Sequence, residues 1–108
     1  MEYRKLEELA VEIADLYTML NKKDGHKVWT NREYLEGLMG DIGDLHKLLM
    51  ANRGFRQIDG DLDKKIAHEL ADCLWSIILI AKDLNIDLEK EFTENMRLLK
   101  TKLGQKLL

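Results

Sequence analysis

The chain has 108 residues, 45% hydrophobic and 34% charged, and this length supports one domain around one core, so we take residues 1–108 as a single domain. The formal net charge of −3 is unlike the basic excess of nucleic-acid-binding proteins, and no nucleic acid polymer is expected as a partner. The single cysteine, Cys73, excludes an internal disulfide, and the charged start of the chain does not resemble a signal peptide, so we expect a cytoplasmic location.

The first predicted helix covers about residues 2–20. Its apolar residues recur at steps of three and four, the spacing of one helical face, and they are Leu6, Leu9, Ala10, Ile13, Leu16, Tyr17 and Leu20. The following segment, 23–29, contains an Asp24-Gly25 turn signal and breaks this pattern. The chain contains no proline, so nothing interrupts a helix through the loss of a backbone donor.

The second predicted helix begins at a capping box, in which Thr30 is followed three residues later by Glu33. It continues to about Arg53, where Gly54 opens a loop. Its apolar stripe consists of Leu35, Leu38, Ile42, Leu45 and Leu49. The loop ends in a second turn signal, Asp59-Gly60.

The third predicted helix runs from near Asp61 to about Leu84, and Asn85 is suited to the left-handed conformation that closes a helix. Its apolar run, residues 73–81, is about half the length needed to cross a bilayer, so we interpret it as a buried helix segment and expect no membrane partner. Asp87 caps a fourth helix, whose apolar residues continue to Leu103 before a glycine-containing tail that we predict to be frayed.

Four amphipathic helices joined by short loops predict an all-α fold, an antiparallel helical bundle whose facing apolar stripes form the core. The third helix is apolar nearly all round, and its predicted stripe consists of Leu62, Ile66, Leu70, Cys73, Ile77 and Ile80. A chain of this length supplies only some of the partners that such a helix needs, so we predict a homodimer or homotetramer.

Two acidic pairs interrupt this pattern. Asp41 lies inside the apolar stripe of the second helix, and Asp44 follows one turn later on nearly the same face. Glu69 and Asp72 repeat the arrangement in the third helix. A divalent cation compensates the repulsion in such a four-carboxylate cluster, and oxygen ligands without histidine favour Mg²⁺, with Mn²⁺ as the second choice. The alternative is that both pairs are ordinary solvated surface charges.

Three glycines in the second helix, Gly37, Gly40 and Gly43, each cost about 1 kcal/mol relative to alanine. Bare backbone beside the carboxylates admits either a flat ligand or a closely packed neighbouring helix. The sequence does not choose between these two interpretations.

Two sequence motifs carry a resemblance to a known family. They are Gly40-Asp41-Ile42-Gly43-Asp44-Leu45 and His68-Glu69-Leu70-Ala71-Asp72-Cys73-Leu74-Trp75. Together with a later Asn85-Ile86-Asp87-Leu88 step, they resemble the MazG-like nucleotide pyrophosphohydrolases, which carry an E-x-x-E pair on one helix and an E-x-x-D pair on a later one. The resemblance extends from about residue 29 to residue 103.

The resemblance implies an all-α bundle assembled as a dimer or a dimer of dimers. It also implies a Mg²⁺-dependent hydrolase that cleaves a nucleoside triphosphate between the α and β phosphates, with a role in nucleotide-pool housecleaning. Asp41, Asp44, Glu69 and Asp72 would be both the metal ligands and the catalytic residues, one of the first pair activating the attacking water. The first pair departs from the family pattern, because aspartates stand where glutamates are usual.

Candidates for phosphate and base binding are less specific. On the fourth helix, Asn95 stands where many family members have lysine, so phosphate binding falls to Arg97, Lys100 or Lys102. Trp29 is a candidate for stacking on a base, or else a lid on the core. Lys47, Arg53 and Arg56 are candidates for phosphate contacts, or else solvated surface charges.

Other metal sites are excluded by their ligand patterns. His68-Glu69 lacks the second histidine of a zinc-protease helix. The run from Asp59 to Asp63 lacks the glycine and glutamate of a calcium loop, and we interpret it as the cap of the third helix. No histidine follows a glutamate at the spacing of a di-iron bundle. The alternative to the enzyme is a catalytically silent helical module for dimerisation or nucleotide sensing.

Overall fold

The computed structural model describes residues 2–108 and contains only helices in that part of the chain. The helices are α1 (Tyr3–Lys23), α2 (Asn31–Asn52), α3 (Leu62–Asp83) and α4 (Leu88–Lys106). The predicted all-α fold of four helices is thereby confirmed. Among these described residues, no helix is both long enough and apolar enough to cross a membrane.

Three of the four helices begin at the predicted caps. The backbone N–H of Thr30 donates to Glu33 Oε1 at 3.1 Å, which is the glutamate half of the capping box before α2. Asp61 and Asp87 each accept a hydrogen bond from the third helical residue of α3 and α4, at 3.1 Å in both cases. These side chains satisfy backbone donors that have no partner inside the helix, which fixes where each helix starts.

Two helix ends differ from the prediction. α1 continues past Leu20 because Lys22 and Lys23 extend the hydrogen-bond pattern and interact favourably with the negative end of the helix dipole. Gly25, with φ of 72°, then ends it. The tail predicted to be frayed is helical instead, since α4 runs through Gly104 without a proline to stop it. Asn85 has φ of 56°, which confirms the left-handed end of α3.

The core lies where α1 and α2 pack against α3. Its buried residues are Ala10, Ala14, Tyr34, Ile78 and Leu79. Alanines on α1 let the helices approach closely, and the indole Nε1 of Trp75 donates to the Ala10 carbonyl at 3.1 Å across the two helices. The predicted stripe of α3 was wrong at Leu70 and Ile77, which are 53% and 41% exposed, because α1 and α2 bury Ile78 and Leu79 instead.

Much apolar surface is left uncovered. The accessible surface of 8796 Å² exceeds by about 2,600 Å² the value expected for a compact monomer of this mass. The radius of gyration is 17.5 Å, whereas a compact domain of this length has about 13 Å. No residue of α4 is buried within the described chain. The predicted apolar faces of α1 and α2 are thus mostly exposed instead of buried in a core. The exposed stripes are Leu9, Ile13, Leu16 and Leu20 on α1, Leu35, Met39, Ile42 and Leu49 on α2, Leu70, Leu74 and Ile77 on α3, with Leu84 directly after it, and Phe92, Met96, Leu99 and Leu103 on α4.

Candidate metal centre

Three of the four predicted carboxylates meet between α2 and α3. Asp41, Glu69 and Asp72 each offer an oxygen within 4.8 Å of the others, and all three side chains are half-buried. Asp44, one turn further along α2, lies outside this group and is exposed. Three of the four carboxylates in the two acidic pairs therefore form one group.

Burial and the neighbouring negative charges oppose ionisation of Asp41 and Glu69. Desolvation, reinforced by the charges of Asp41, Asp44 and Asp72, raises the pKa of Glu69 above its ordinary value of 4.5. Desolvation also raises the pKa of Asp41 above 3.8, with repulsion from Asp72 and Asp44 adding to it, while a hydrogen bond with Glu69 and the charge of His68 oppose the rise. The repulsion between these carboxylates is thus uncompensated unless a cation binds.

The donor atoms fit a hard divalent cation. Glu69 Oε2 is buried and has no hydrogen-bond partner among residues 2–108, which leaves a lone pair free to bind a metal. Carboxylate oxygens favour Mg²⁺ or Mn²⁺, and Mg²⁺ completes its coordination with water. His68 Nε2 lies 3.2 Å from Asp72 Oδ2, so the histidine orients a candidate ligand from outside the group.

The raised pKa values predict how the stability of the metal-free protein depends on pH. Glu69 and Asp41 bind their protons more tightly in the folded protein than in the unfolded chain. Their protonated forms therefore stabilise the fold below the ordinary pKa values, and this stabilisation is lost as the pH rises through the raised pKa values of the folded state. We expect the free energy of unfolding of Glu69→Gln to exceed that of the wild type by a margin that grows over this pH range, measured by urea denaturation. A margin independent of pH would contradict the prediction.

One side of the carboxylates opens into an aromatic cavity of about 630 Å³ between α1, α2 and α3. Asp41 and Asp72 form part of its wall. The remaining lining includes Tyr17, Trp29, Tyr34 and Trp75, with polar groups from Thr18, Asn21 and Ser76. Ring centroids of Tyr34 lie 5.6 Å from Trp29 and 5.5 Å from Trp75, both edge-to-face, so the aromatic wall is continuous.

The position of Trp29 follows from the start of α2. It immediately precedes the Thr30 cap and packs on Tyr34, the fourth helical residue, which is the hydrophobic staple that fixes the entry of a chain into a helix. Its ring also covers Gly37, where an added Cβ would stand 3.4 Å from the indole. A Cβ at Gly40 or Gly43 meets no atom of residues 2–108 within 4 Å, so among the described residues only the first of the three glycines has a packing partner.

The other side of the carboxylates opens into a cleft of about 530 Å³, lined by Asp44, Lys47, Leu48, Ile58, Lys64, Lys65, His68 and Glu69. Lysine side chains are prominent in the lining of this cleft, whereas aromatic side chains are prominent in the lining of the first cavity. We call these two spaces the aromatic cavity and the lysine cleft. The carboxylates form the wall between them, because Asp41 and Asp72 face the first and Asp44 and Glu69 face the second.

The residues proposed from the sequence for phosphate and base binding differ in whether they line either of these two spaces. Trp29 lines the aromatic cavity and Lys47 the lysine cleft, whereas Asn95, Arg97 and Lys100 of α4 line neither. The sequence interpretation missed Tyr34, whose signal was the staple spacing from Trp29. It also missed Ser76, Lys64 and Lys65, which single-helix periodicity does not identify because the spaces arise only when helices pack.

Cys73 lies beside the carboxylates and is half-buried. Desolvation, together with the charges of Asp41, Glu69 and Asp72, raises the pKa of its thiol. The thiol therefore stays protonated and is a poor nucleophile or metal ligand. Cys73 therefore acts as a small apolar residue of α3.

Comparison of the chain with protein-family models, with curated proteins and with solved structures finds no match. Function must therefore be inferred from the carboxylates and the two spaces beside them.

Proposed function

We propose that this protein is a Mg²⁺-dependent nucleoside triphosphate pyrophosphohydrolase, which converts its substrate to the monophosphate and pyrophosphate. The observation that carries the proposal is the order of three surfaces: an aromatic cavity, a wall of carboxylates and a lysine cleft. A nucleoside triphosphate presents the same order, with a flat base, phosphates that bind metal, and a polyanionic end. The sequence resemblance to MazG-like enzymes supports the same assignment.

The proposed fold is an antiparallel bundle. Contacts between α2 and α3 support it, since Tyr34 meets Trp75 near one end and Asp41 meets Glu69 further along. Residue numbers thus rise on α2 as they fall on α3. In this arrangement the two acidic pairs face one another across a helix pair.

Asp41, Glu69 and Asp72 would hold the cation, which supplies charge neutralisation for the phosphates. Their positions on two packed helices fix the ligand oxygens before the substrate arrives, and such preorganisation accounts for most catalysis of phosphoryl transfer. Asp44 stands outside the ligand group and lines the lysine cleft, where the polyanionic end of the substrate would lie. We therefore assign the attacking water to Asp41, the member of the first pair that lines the aromatic cavity. Water oxygen bonds to the α-phosphorus, the bond from that phosphorus to the bridging oxygen breaks, and a water proton passes to Asp41.

The aromatic cavity would hold the base. Trp29 and Tyr34 offer ring faces and edges, and Thr18, Asn21 and Ser76 offer hydrogen-bonding groups for the edge of a base. The volume of about 630 Å³ lies within the usual range of small-molecule sites, about 300–1,000 Å³.

We further propose that two copies of the chain associate through the exposed stripes of α2 and α3. These stripes repeat at helical spacing and belong to the two helices that pack together most extensively. The excess surface of about 2,600 Å² per chain amounts to about 5,200 Å² for two copies, which is at the upper end of obligate homodimer interfaces, since these bury about 2,000–5,000 Å² or more in total. A symmetric four-helix arrangement would cover both stripes at once.

The test is to incubate the protein with Mg²⁺ and a panel of canonical and modified nucleoside triphosphates, and to measure pyrophosphate and monophosphate by chromatography. We expect at least one nucleotide to yield both in equal amounts, with no activity in EDTA. Release of orthophosphate instead would show cleavage at the γ-phosphate and contradict the proposed bond. No product from any nucleotide would favour the silent dimerisation or sensing module, which the exposed apolar stripes also fit.

A further inference from the structure

The lysine cleft adjoins the carboxylates on the side opposite the aromatic cavity. Lys47 comes from α2, and Lys64, Lys65 and His68 come from the first two turns of α3. Ile58, from the loop between these helices, closes one side of the cleft. Four cationic or protonatable side chains therefore gather beside Asp44 and Glu69 without any contribution from α4.

Two of these four side chains already have partners. Lys65 Nζ donates to the Asp59 carbonyl of the preceding loop, and His68 pairs with Asp72. Neither Lys47 nor Lys64 forms an ion pair or a side-chain hydrogen bond within residues 2–108. Both ammonium groups are exposed and have all three donors free for a ligand in the cleft.

We propose that Lys47 and Lys64 bind the two phosphates that leave as pyrophosphate. This inference rests on the proposed function, and it assigns the polarity of the bound substrate: base in the aromatic cavity, α-phosphate at the carboxylates, terminal phosphates in the lysine cleft. It moves phosphate binding from Arg97 and Lys100 of α4 to α2 and the start of α3. The cleft volume of about 530 Å³ leaves ample room for a hydrated diphosphate.

Charge explains why such a binding site is needed. The carboxylate wall repels the polyanion that must approach it, and a cation held by three carboxylates neutralises only part of the triphosphate charge. Lysines placed beyond the wall attract the distal phosphates and draw electron density toward the leaving group. Lys47 and Lys64 would thus act on the leaving side of the bond that breaks.

The test measures binding of imidodiphosphate, a non-hydrolysable analogue of pyrophosphate, by titration calorimetry in the presence of Mg²⁺. We expect Lys64→Gln and Lys47→Gln each to weaken binding about tenfold, the loss typical of one charge-assisted hydrogen bond. Lys90→Gln is the matched control. Lys90 and Lys64 are both the third residue of a helix, and each donates its backbone N–H to an aspartate cap at 3.1 Å, but Lys90 lines neither space.

A second titration, with nucleoside monophosphates, separates the distal phosphates from general charge effects. The lysine variants should bind monophosphates within about twofold of the wild type, since the α-phosphate does not reach the cleft. Equal losses for both ligands would overturn the inference, because the lysines would then only offset the carboxylates. Failure of the wild type to bind imidodiphosphate, or a loss confined to Arg97→Gln or Lys100→Gln, would also overturn it.

The same variants distinguish failure of this inference from failure of the proposed function. If nucleotides are hydrolysed but the lysine variants match the wild type, the function stands and the lysine assignment is wrong. If no nucleotide is hydrolysed but imidodiphosphate binding still requires Lys47 and Lys64, the cleft is a diphosphate site on a protein with another activity.

Discussion

Glu69→Gln is expected to abolish Mg²⁺-dependent pyrophosphate release while the helices remain folded. Glu69 supplies the buried oxygen that has no hydrogen-bond partner in the described part of the chain, and an amide oxygen is a weaker ligand with no charge. Substitution of residues that merely support metal ligands costs about 10–100-fold in affinity or activity, so loss of a ligand should exceed about a hundredfold. The measurement pairs kcat with the affinity for Mn²⁺ determined by electron paramagnetic resonance.

The stability of this variant separates loss of a ligand from loss of the fold. Removing one charge relieves the repulsion from Asp41 and Asp72, so the metal-free variant should unfold at a higher temperature than the metal-free wild type at neutral pH. Added Mg²⁺ should stabilise the wild type more than the variant. Glu94→Gln, an exposed change on α4, serves as the control and should resemble the wild type in every respect. A Glu69→Gln protein that remains active would contradict the assignment of Glu69 as a metal ligand.

Ile77→Lys should convert the proposed dimer to monomers. Ile77 lies in the middle of the exposed stripe of α3, and a symmetric interface would bury its replacement twice. An unpaired charge buried at an interface costs about 3 kcal/mol or more, which weakens association by more than about a hundredfold. Sedimentation velocity over a range of protein concentrations measures this change.

The control for Ile77→Lys is Phe55→Lys. Phe55 is 73% exposed in the loop after α2 and lies outside the stripes, so the same kind of substitution there should leave the dimer unchanged. A wild-type protein that stays monomeric at high micromolar concentration would contradict the interface. Dissociation caused equally by both variants would show that added charge, rather than the α3 stripe, is responsible.

Features of the structure that depend on residues close together in the sequence could be predicted, whereas those that depend on distant residues could not. Asp61, Asp87 and Asn85 act within a few residues, and their predicted roles at helix ends were confirmed. The stripe containing Ile77 was wrong because helix periodicity identifies an apolar face without identifying which helix covers it. α3 is apolar on several sides, and the packing of α1 and α2 decided which residues became buried.

In the candidate site, too, features within one helix were predicted from the sequence, and features that arise between helices were not. Spacing along each helix paired Asp41 with Asp44 and Glu69 with Asp72, and the resemblance supported these pairs. Packing then placed Asp44 outside the group that the other three form, although Glu69 and Asp72, with the same spacing, both belong to it. Spacing along one helix therefore does not decide which carboxylates meet across two helices. The lysine cleft combines residues from two helices and a loop, which no single-helix pattern contains.

The aromatic wall also gives the protein an optical property. The chain contains two tryptophans, Trp29 and Trp75, and both line the same cavity beside the carboxylates. Tyr34 stands between them, within 5.6 Å of both ring centroids. Intrinsic tryptophan emission therefore originates entirely from one small region, and its intensity and wavelength report on what occupies that region, with no background from elsewhere in the chain.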